Sequence, residues 1–201
     1  MGIIKDTLIK YKLTTDKEHP HSYGDSYDML FQDRLNKKNN ILEIGIYMGG
    51  SIKAWSECFP KSTIYGVDIT LQNLKHNFDD DKNVKIIEQD INYLEFEEEL
   101  DIIIDDGSHY IDDVVSAFDF LYPKLKVGGM YVIEDVQEVG KWDEEIKERA
   151  GDGANVYAMD LRYNSKIFED AEKEKLLEGG YGVDGGYDNK DNYLIIIEKH
   201  K

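Results

Sequence analysis

Short apolar, β-branched runs alternate along this chain with segments whose apolar residues recur at helical spacing. Residues 40–46, 63–69, 84–89, 100–105 and 130–134 read as strands. Several of these runs are apolar at consecutive positions, as in parallel strands buried on both faces. Between them, residues 51–59, 71–78 and 111–125 read as helices, the second a short one. Gly128-Gly129 reads as the turn that feeds the fifth strand, and 143–150 as a further helix. Residues 155–161 and 192–198 look like strands without a full helix pair between them, which predicts an antiparallel hairpin at one sheet edge. A charged helix at 169–178 and a glycine-rich stretch at 179–186 separate them; the glycine run reads as a surface loop in preference to an active-site lid. Such alternation implies βαβ units with right-handed crossovers. The expected fold class is α/β, a doubly wound sheet of about seven strands, mostly parallel.

Length and composition narrow the class. A chain of 201 residues fits one domain with a sizeable core, and 41% apolar with 11% aromatic residues excludes disorder. It could equally be one domain of a longer polypeptide. No window approaches the ~18 apolar residues of a membrane span. No secretory signal is recognisable, and Asp6 stands where a myristoylation start needs Ser or Thr. The single cysteine, Cys58, excludes an intramolecular disulfide or a cysteine metal site and reads as a core thiol on an amphipathic helix. A formal net charge of −18 repels phosphate backbones, so nucleic acid is a poor partner. The expectation is a cytoplasmic protein with no membrane partner, its oligomeric state left open.

The chemistry sits at strand ends. Ile102-Ile103-Ile104 runs into Asp105-Asp106-Gly107-Ser108-His109, and Tyr131-Val132-Ile133 into Glu134-Asp135. Ligands in open α/β sheets bind outside the carboxyl ends of the strands. Two neighbouring strands ending this way gather up to four carboxylates beside an imidazole, an arrangement that is costly without a cation. All-oxygen ligation suits Mg²⁺ or Mn²⁺. The first strand leads into Glu43-Ile44-Gly45-Ile46-Tyr47-Met48-Gly49-Gly50-Ser51. Tyr47 stands where a dinucleotide fingerprint has its second glycine, and Glu43 disfavours a pyrophosphate and suits a cationic ligand. Asp68 ends the second strand, where a carboxylate can accept ribose hydroxyls, and Gln89-Asp90 end the third, placed to meet an adenine edge.

Together, Leu42-Glu43-Ile44-Gly45, Gly49-Gly50-Ser51, Tyr65-Gly66-Val67-Asp68, Ile104-Asp105-Asp106-Gly107-Ser108-His109 and Val132-Ile133-Glu134-Asp135 resemble class I S-adenosylmethionine-dependent methyltransferases. More narrowly, the chain resembles the metal-dependent sugar O-methyltransferases that modify deoxysugars of macrolide antibiotics and related glycans. Thr14-Thr15-Asp16-Lys17 followed by Tyr23 resembles a segment that precedes the core in that family. The resemblance implies a Rossmann-like methyltransferase domain over 1–201: an N-terminal helical and loop segment (1–38), a cofactor and metal core (39–136) and a C-terminal part with edge strands (137–201). It implies that Glu43, Gly45 and Ser51 line the methionine end of the cofactor, with Thr15 reaching its carboxylate. It places Asp68 on the ribose, and Gln89 and Asp90 on the adenine side. It also implies Mg²⁺ (or Mn²⁺) at Asp106, Glu134 and Asp135, with His109 as general base. The residues alone leave Asp105 and Asp106 competing for the metal; the resemblance selects Asp106.

A lone histidine would be read as a cap-region residue bonded to a carboxylate, but beside this acidic cluster His109 reads as the base. His19 and His21 read as surface residues of the N-terminal loop, while Trp142, Tyr23, Tyr47 and Tyr110 lie close enough to the rim to contribute aromatic surface. The expected activity is transfer of a methyl group from S-adenosylmethionine to a hydroxyl of a sugar, such as a rhamnose in a glycan or glycoside. The alternatives are a metal-dependent O-methyltransferase of a catechol-like molecule, a nicotinamide-dependent sugar oxidoreductase, and a non-catalytic nucleotide-binding module.

Overall fold

The computed structural model describes residues 2–162 and 191–201. Its centre is one sheet of seven strands in the order β3-β2-β1-β4-β5-β7-β6. The strands are β1 (Asn40–Ile44), β2 (Thr63–Asp68), β3 (Val84–Glu88), β4 (Leu100–Asp105), β5 (Leu125–Ile133), β6 (Ala154–Asp160) and β7 (Tyr193–Lys199). β1 to β5 pair in parallel, whereas β7 is antiparallel to both β5 and β6. The doubly wound α/β sheet with an antiparallel edge is therefore the fold observed. Chain order reverses between β1 and β4, which is where ligands bind in sheets of this kind.

Helices cover both faces: α1 (Ile3–Lys10), α2 (Gly24–Phe31), α3 (Gly50–Cys58), α4 (Ile111–Leu121) and α5 (Val139–Ala150). On one face Tyr27, Phe31, Trp55 and Phe59 pack over Ile41, Ile102, Val132 and Ile196. On the other, Val114, Ala117, Phe118 and Leu121, the i, i+3, i+4, i+7 stripe of α4, pack with Leu42, Ile103, Tyr131 and Ile197. Consecutive strand residues thus feed opposite cores, which is why the runs are apolar throughout. No described helix is long and apolar enough to cross a membrane.

Three expectations are corrected. Residues 71–78 form a turn at 72–73 followed by irregular backbone instead of a helix. Leu71, Leu74 and Phe78 do pack against the core, but the Lys75 amide donates to the Met48 carbonyl at 3.2 Å, a tertiary bond in place of a helical one. β5 begins at Leu125, ahead of the Gly128-Gly129 pair, which forms an irregularity within the strand, Gly128 having φ +79°. α4 stops at Leu121, where Pro123 and a 3₁₀ turn over Tyr122–Lys124 replace its last predicted turn. The expected helix at 169–178 and glycine loop at 179–186 lie outside the described residues.

Cys58 is buried on α3, 4% exposed, and burial pushes its thiol up to about 11. Relative to an ordinary thiol near 8.5, the thiolate fraction at pH 8 falls roughly two hundredfold. A disulfide reagent should therefore modify Cys58 at least about a hundredfold more slowly in the native chain than in urea. Equal rates in the two states would contradict the buried placement.

Candidate active site

The carboxyl ends of β1 to β5 converge because sheet bonding continues past the strands. Gly45 N donates to Val67 O at 2.9 Å, Asp106 N to Ile44 O at 3.0 Å, and Glu134 N to Asp105 O at 2.9 Å. These bonds fix the loops after β1, β4 and β5 against one another. Gly45 has φ +79°, and a Cβ there would lie 1.9 Å from the Asp106 carbonyl oxygen, so only glycine lets these two loops touch. Tyr47, His109 and Asp135, one from each of these loops, also hold left-handed backbones, with φ of 42°, 57° and 54°. Non-glycine residues adopt that region at a cost, and such strain concentrates at functional sites.

A cavity of about 600 Å³ opens beside these loops, a size suited to a nucleotide-like ligand. Thr15, Gly45, Ser51, Asp68, Gln89 and Asp90, all expected at a cofactor, line it together. Asp68 also braces the loop after β1: its Oδ2 accepts from the amides of Ile46 (2.9 Å) and Tyr47 (3.0 Å), and Oδ1 from that of Thr70 (3.2 Å). Asp90 accepts from Asn92 N at 2.9 Å, capping a 3₁₀ turn, and Gln89 donates to Tyr93 O at 2.7 Å. Thr14 O accepts from Gly50 N at 3.1 Å, and Thr14 Oγ1 lies 2.8 Å from His76 Nε2, which pins the N-terminal segment over the start of α3.

Glu43 is the exception among the expected cofactor residues. It is fully buried beneath the loop, accepts from Trp55 Nε1 at 2.7 Å, and does not line the cavity. Its Oε1 lies 3.1 Å from the ammonium of Lys17. Lys17, on the segment before α2, is also fully buried. It donates to Asp106 Oδ2 at 2.6 Å and to both oxygens of Glu134 at 2.9 and 2.8 Å. Tyr27 donates to Glu134 as well.

Asp106, His109 and Asp135 converge on the open side, each offering one atom within 4.8 Å of the others. His109 Nε2 is 3.9 Å from Asp106 Oδ1 and 3.9 Å from Asp135 Oδ2. Glu134, expected among the ligands, turns to Lys17 and Tyr27 behind this set. Asp135 accepts from Tyr23 OH and lies 3.4 Å from His21 Nδ1. His21 is not on the surface: it is buried, stacks on Tyr23, and bonds Asn192 Oδ1 at 2.6 Å. Trp142 is buried in the core and not at the rim.

The electrostatics follow from burial against partner charge. Burial raises Asp106 to about 7; Asp16 and Asp135 add to the rise while Lys17 and His109 oppose it. Burial likewise lifts Glu134 well above the usual carboxylate range, against the pull of Lys17. Burial would raise Asp135 too, but His21, His109, Tyr23 and Lys17 outweigh it and hold it low. Burial opposes the charge on Lys17, yet Asp106, Glu134 and Glu43 raise its pKa well above that of an ordinary lysine. One ammonium faces three buried carboxylates here, with Asp135 beside them, so anions outnumber cations in the cluster, and a divalent cation would offset the excess. The converging carboxylate and imidazole donors fit such an ion.

Residues 27–137 match the family described as FtsJ-like methyltransferase. Mycinamicin VI 2''-O-methyltransferase of Micromonospora griseorubida is 35% identical over 130 residues, 58% of this chain and 32% of that protein. The 8-demethyl-8-alpha-L-rhamnosyl tetracenomycin-C 2'-O-methyltransferase of Streptomyces olivaceus is 31% identical over 154 residues, 68% of this chain and 40% of that protein. The chain thus spans less than half the length of these curated relatives. Among solved structures, the MycE methyltransferase from the mycinamycin biosynthetic pathway, in complex with Mg and SAH, superposes with a TM-score of 0.65 at 23% identity. That likeness covers 98% of this chain and 54% of the other, and it concerns the fold.

Proposed function

The chain belongs to the FtsJ-like methyltransferase family, and on that premise we propose that it methylates a hydroxyl of a sugar, using S-adenosylmethionine and a divalent metal, Mg²⁺ or Mn²⁺. The observation that carries this reading is the convergence of Asp106, His109 and Asp135 at the mouth of a nucleotide-sized cavity. The relative named as an 8-demethyl-8-alpha-L-rhamnosyl tetracenomycin-C 2'-O-methyltransferase supports the sugar. A deoxyhexose such as rhamnose is the proposed acceptor, and 1–201 acts as one methyltransferase domain.

In this reading Asp106 and Asp135 hold the metal, with Glu134 behind them bound to Lys17. When bound, the ion would lower the cost of developing negative charge on the acceptor oxygen. His109 Nε2, beside both carboxylates, takes the hydroxyl proton. Thr15, Gly45 and Ser51 receive the methionine end of the donor, Asp68 the ribose, and Gln89 and Asp90 the adenine side. Holding donor and acceptor in line supplies much of the rate.

The test is formation of S-adenosylhomocysteine with Mg²⁺ across rhamnosides and catechols. Turnover of rhamnosides is expected; turnover confined to catechols would overturn the sugar assignment. Asp68→Ala should weaken donor binding by roughly 10- to 100-fold, the worth of hydrogen bonds to a charged group. Because Asp68 also braces Ile46 and Tyr47, circular dichroism should accompany the calorimetry. A folded variant with unchanged affinity would remove Asp68 from the ribose site.

A further inference from the structure

Lys17 is the one fully buried lysine among the described residues. Its ammonium faces three carboxylates: Glu43 at 3.1 Å, Asp106 at 2.6 Å and Glu134 at 2.8 Å. Glu43 is anchored in turn by Trp55, and Glu134 by Tyr27. Asp106 is divided between two tasks. Its Oδ2 is bonded to Lys17, while its Oδ1 faces His109 on the side where Asp135 converges. A buried lysine is tolerated only when such partners offset the loss of hydration, and removing one partner leaves the others uncompensated.

We infer that Lys17 is a positioning residue, a resident cation that holds Glu43, Glu134 and the inner oxygen of Asp106 together whether or not a divalent ion is bound. The outer oxygen of Asp106 is thereby left facing Asp135 and His109. Lys17 touches no reacting atom and acts through Asp106. It makes the carboxylate cluster compatible with folding before metal arrives, so the site is preformed. Without it, two buried glutamates and Asp106 would face one another with no internal positive charge. The protein would then need either fewer anions or an external cation.

Thermal unfolding of the full chain in EDTA, for wild type, Lys17→Met and Lys17→Met/Glu43→Gln, tests this. Lys17→Met keeps an unbranched apolar stem nearly as long as that of lysine and removes the charged end. Its melting temperature should fall by roughly 6–20 °C, the range for a broken buried pair in a chain of this size. Glu43→Gln should recover a substantial part of that loss, because it removes an anion that Lys17 had balanced. Mn²⁺ should raise the melting temperature of Lys17→Met by more than it raises that of wild type. Only this metal arm rests on the proposed metal dependence. Rescue by Glu43→Gln with no effect of Mn²⁺ on either protein would uphold Lys17 and sink the metal reading. A Lys17→Met chain as stable as wild type, or a second substitution that only adds to the loss, would overturn the inference. If Lys17→Met does not fold, the wild type decides: its metal-free ¹H–¹⁵N spectrum near pH 7 should show a slowly exchanging lysine ammonium. Absence of that signal would overturn the inference as well.

Discussion

Removing divalent metal should reduce methyl transfer to background, and adding Mg²⁺ or Mn²⁺ should restore it. A sugar hydroxyl holds its proton tightly near neutral pH, so charge developing on its oxygen needs a positive partner. Metal stabilisation of such charge is worth several kcal/mol, so chelation should cost roughly a thousandfold or more in turnover. The anions meant for that ion stand on the open side. Lys17 is spent on Glu43, Glu134 and the inner oxygen of Asp106, while burial, with Asp16 and Asp135 adding to it, holds Asp106 up at about 7. Asp106→Asn should demand far more metal for the same rate. The donor pocket is lined chiefly by residues away from these carboxylates, so calorimetry should still detect donor binding after chelation. Full activity in exhaustively chelated protein that still binds donor would take the metal out of the reaction.

The parts of this site legible in the sequence are those that strand ends position. Ile102–Ile104 and Tyr131–Ile133 are apolar on consecutive positions because each strand is buried on both faces, so the acid pair after each run is carried to the carboxyl end of the sheet, where the second acid of each pair, Asp106 and Asp135, reaches the open side. Asp68, Gln89 and Asp90 follow the same logic, and all three line the cavity. Glu43 misled because it lies within a strand: side chains alternate between faces, and Glu43 points under the loop toward Trp55. Residues 71–78 carry helical spacing at Leu71, Leu74 and Phe78, yet one turn and irregular backbone satisfy the same contacts once Lys75 bonds Met48. Lys17, His21 and Tyr27 lie outside the strand-end pattern, on a segment brought back to the sheet only by tertiary folding. The available signal was a charge count. Four rim carboxylates and a fifth in β1 called for an internal cation, and Lys17 sits beside Thr14-Thr15-Asp16, a segment already tied to the core by resemblance.

Replacing His109 should lower turnover by ~10²–10⁴-fold, the usual worth of a positioned general base. The imidazole is partly exposed at the cavity, with Nε2 3.9 Å from each of the carboxylates Asp106 and Asp135. That separation is too long for a hydrogen bond, so Nε2 is left able to receive a proton from an acceptor seated there. His109 also holds a left-handed backbone at φ 57°, which alanine adopts less readily than asparagine. His109→Ala therefore risks loosening the loop that carries Asp106, whereas His109→Asn removes the base and keeps the turn. Both variants should lose turnover to a similar extent. Retained turnover in His109→Asn alone would reduce the residue to a backbone role. Mn²⁺ affinity, followed by electron paramagnetic resonance, separates the base from a ligand. A base leaves it within a few-fold of wild type, whereas loss of a ligating imidazole should weaken it by roughly the 10–100-fold seen even for supporting groups around a metal. A large loss of affinity, with turnover restored at saturating Mn²⁺, would make His109 a ligand and move proton removal to another group, Asp105, four residues before it, being the candidate. Burial holds Asp105 up at about 6, so it could accept a proton near neutral pH. Unchanged affinity together with a turnover loss that no metal concentration repairs is the result expected of a base.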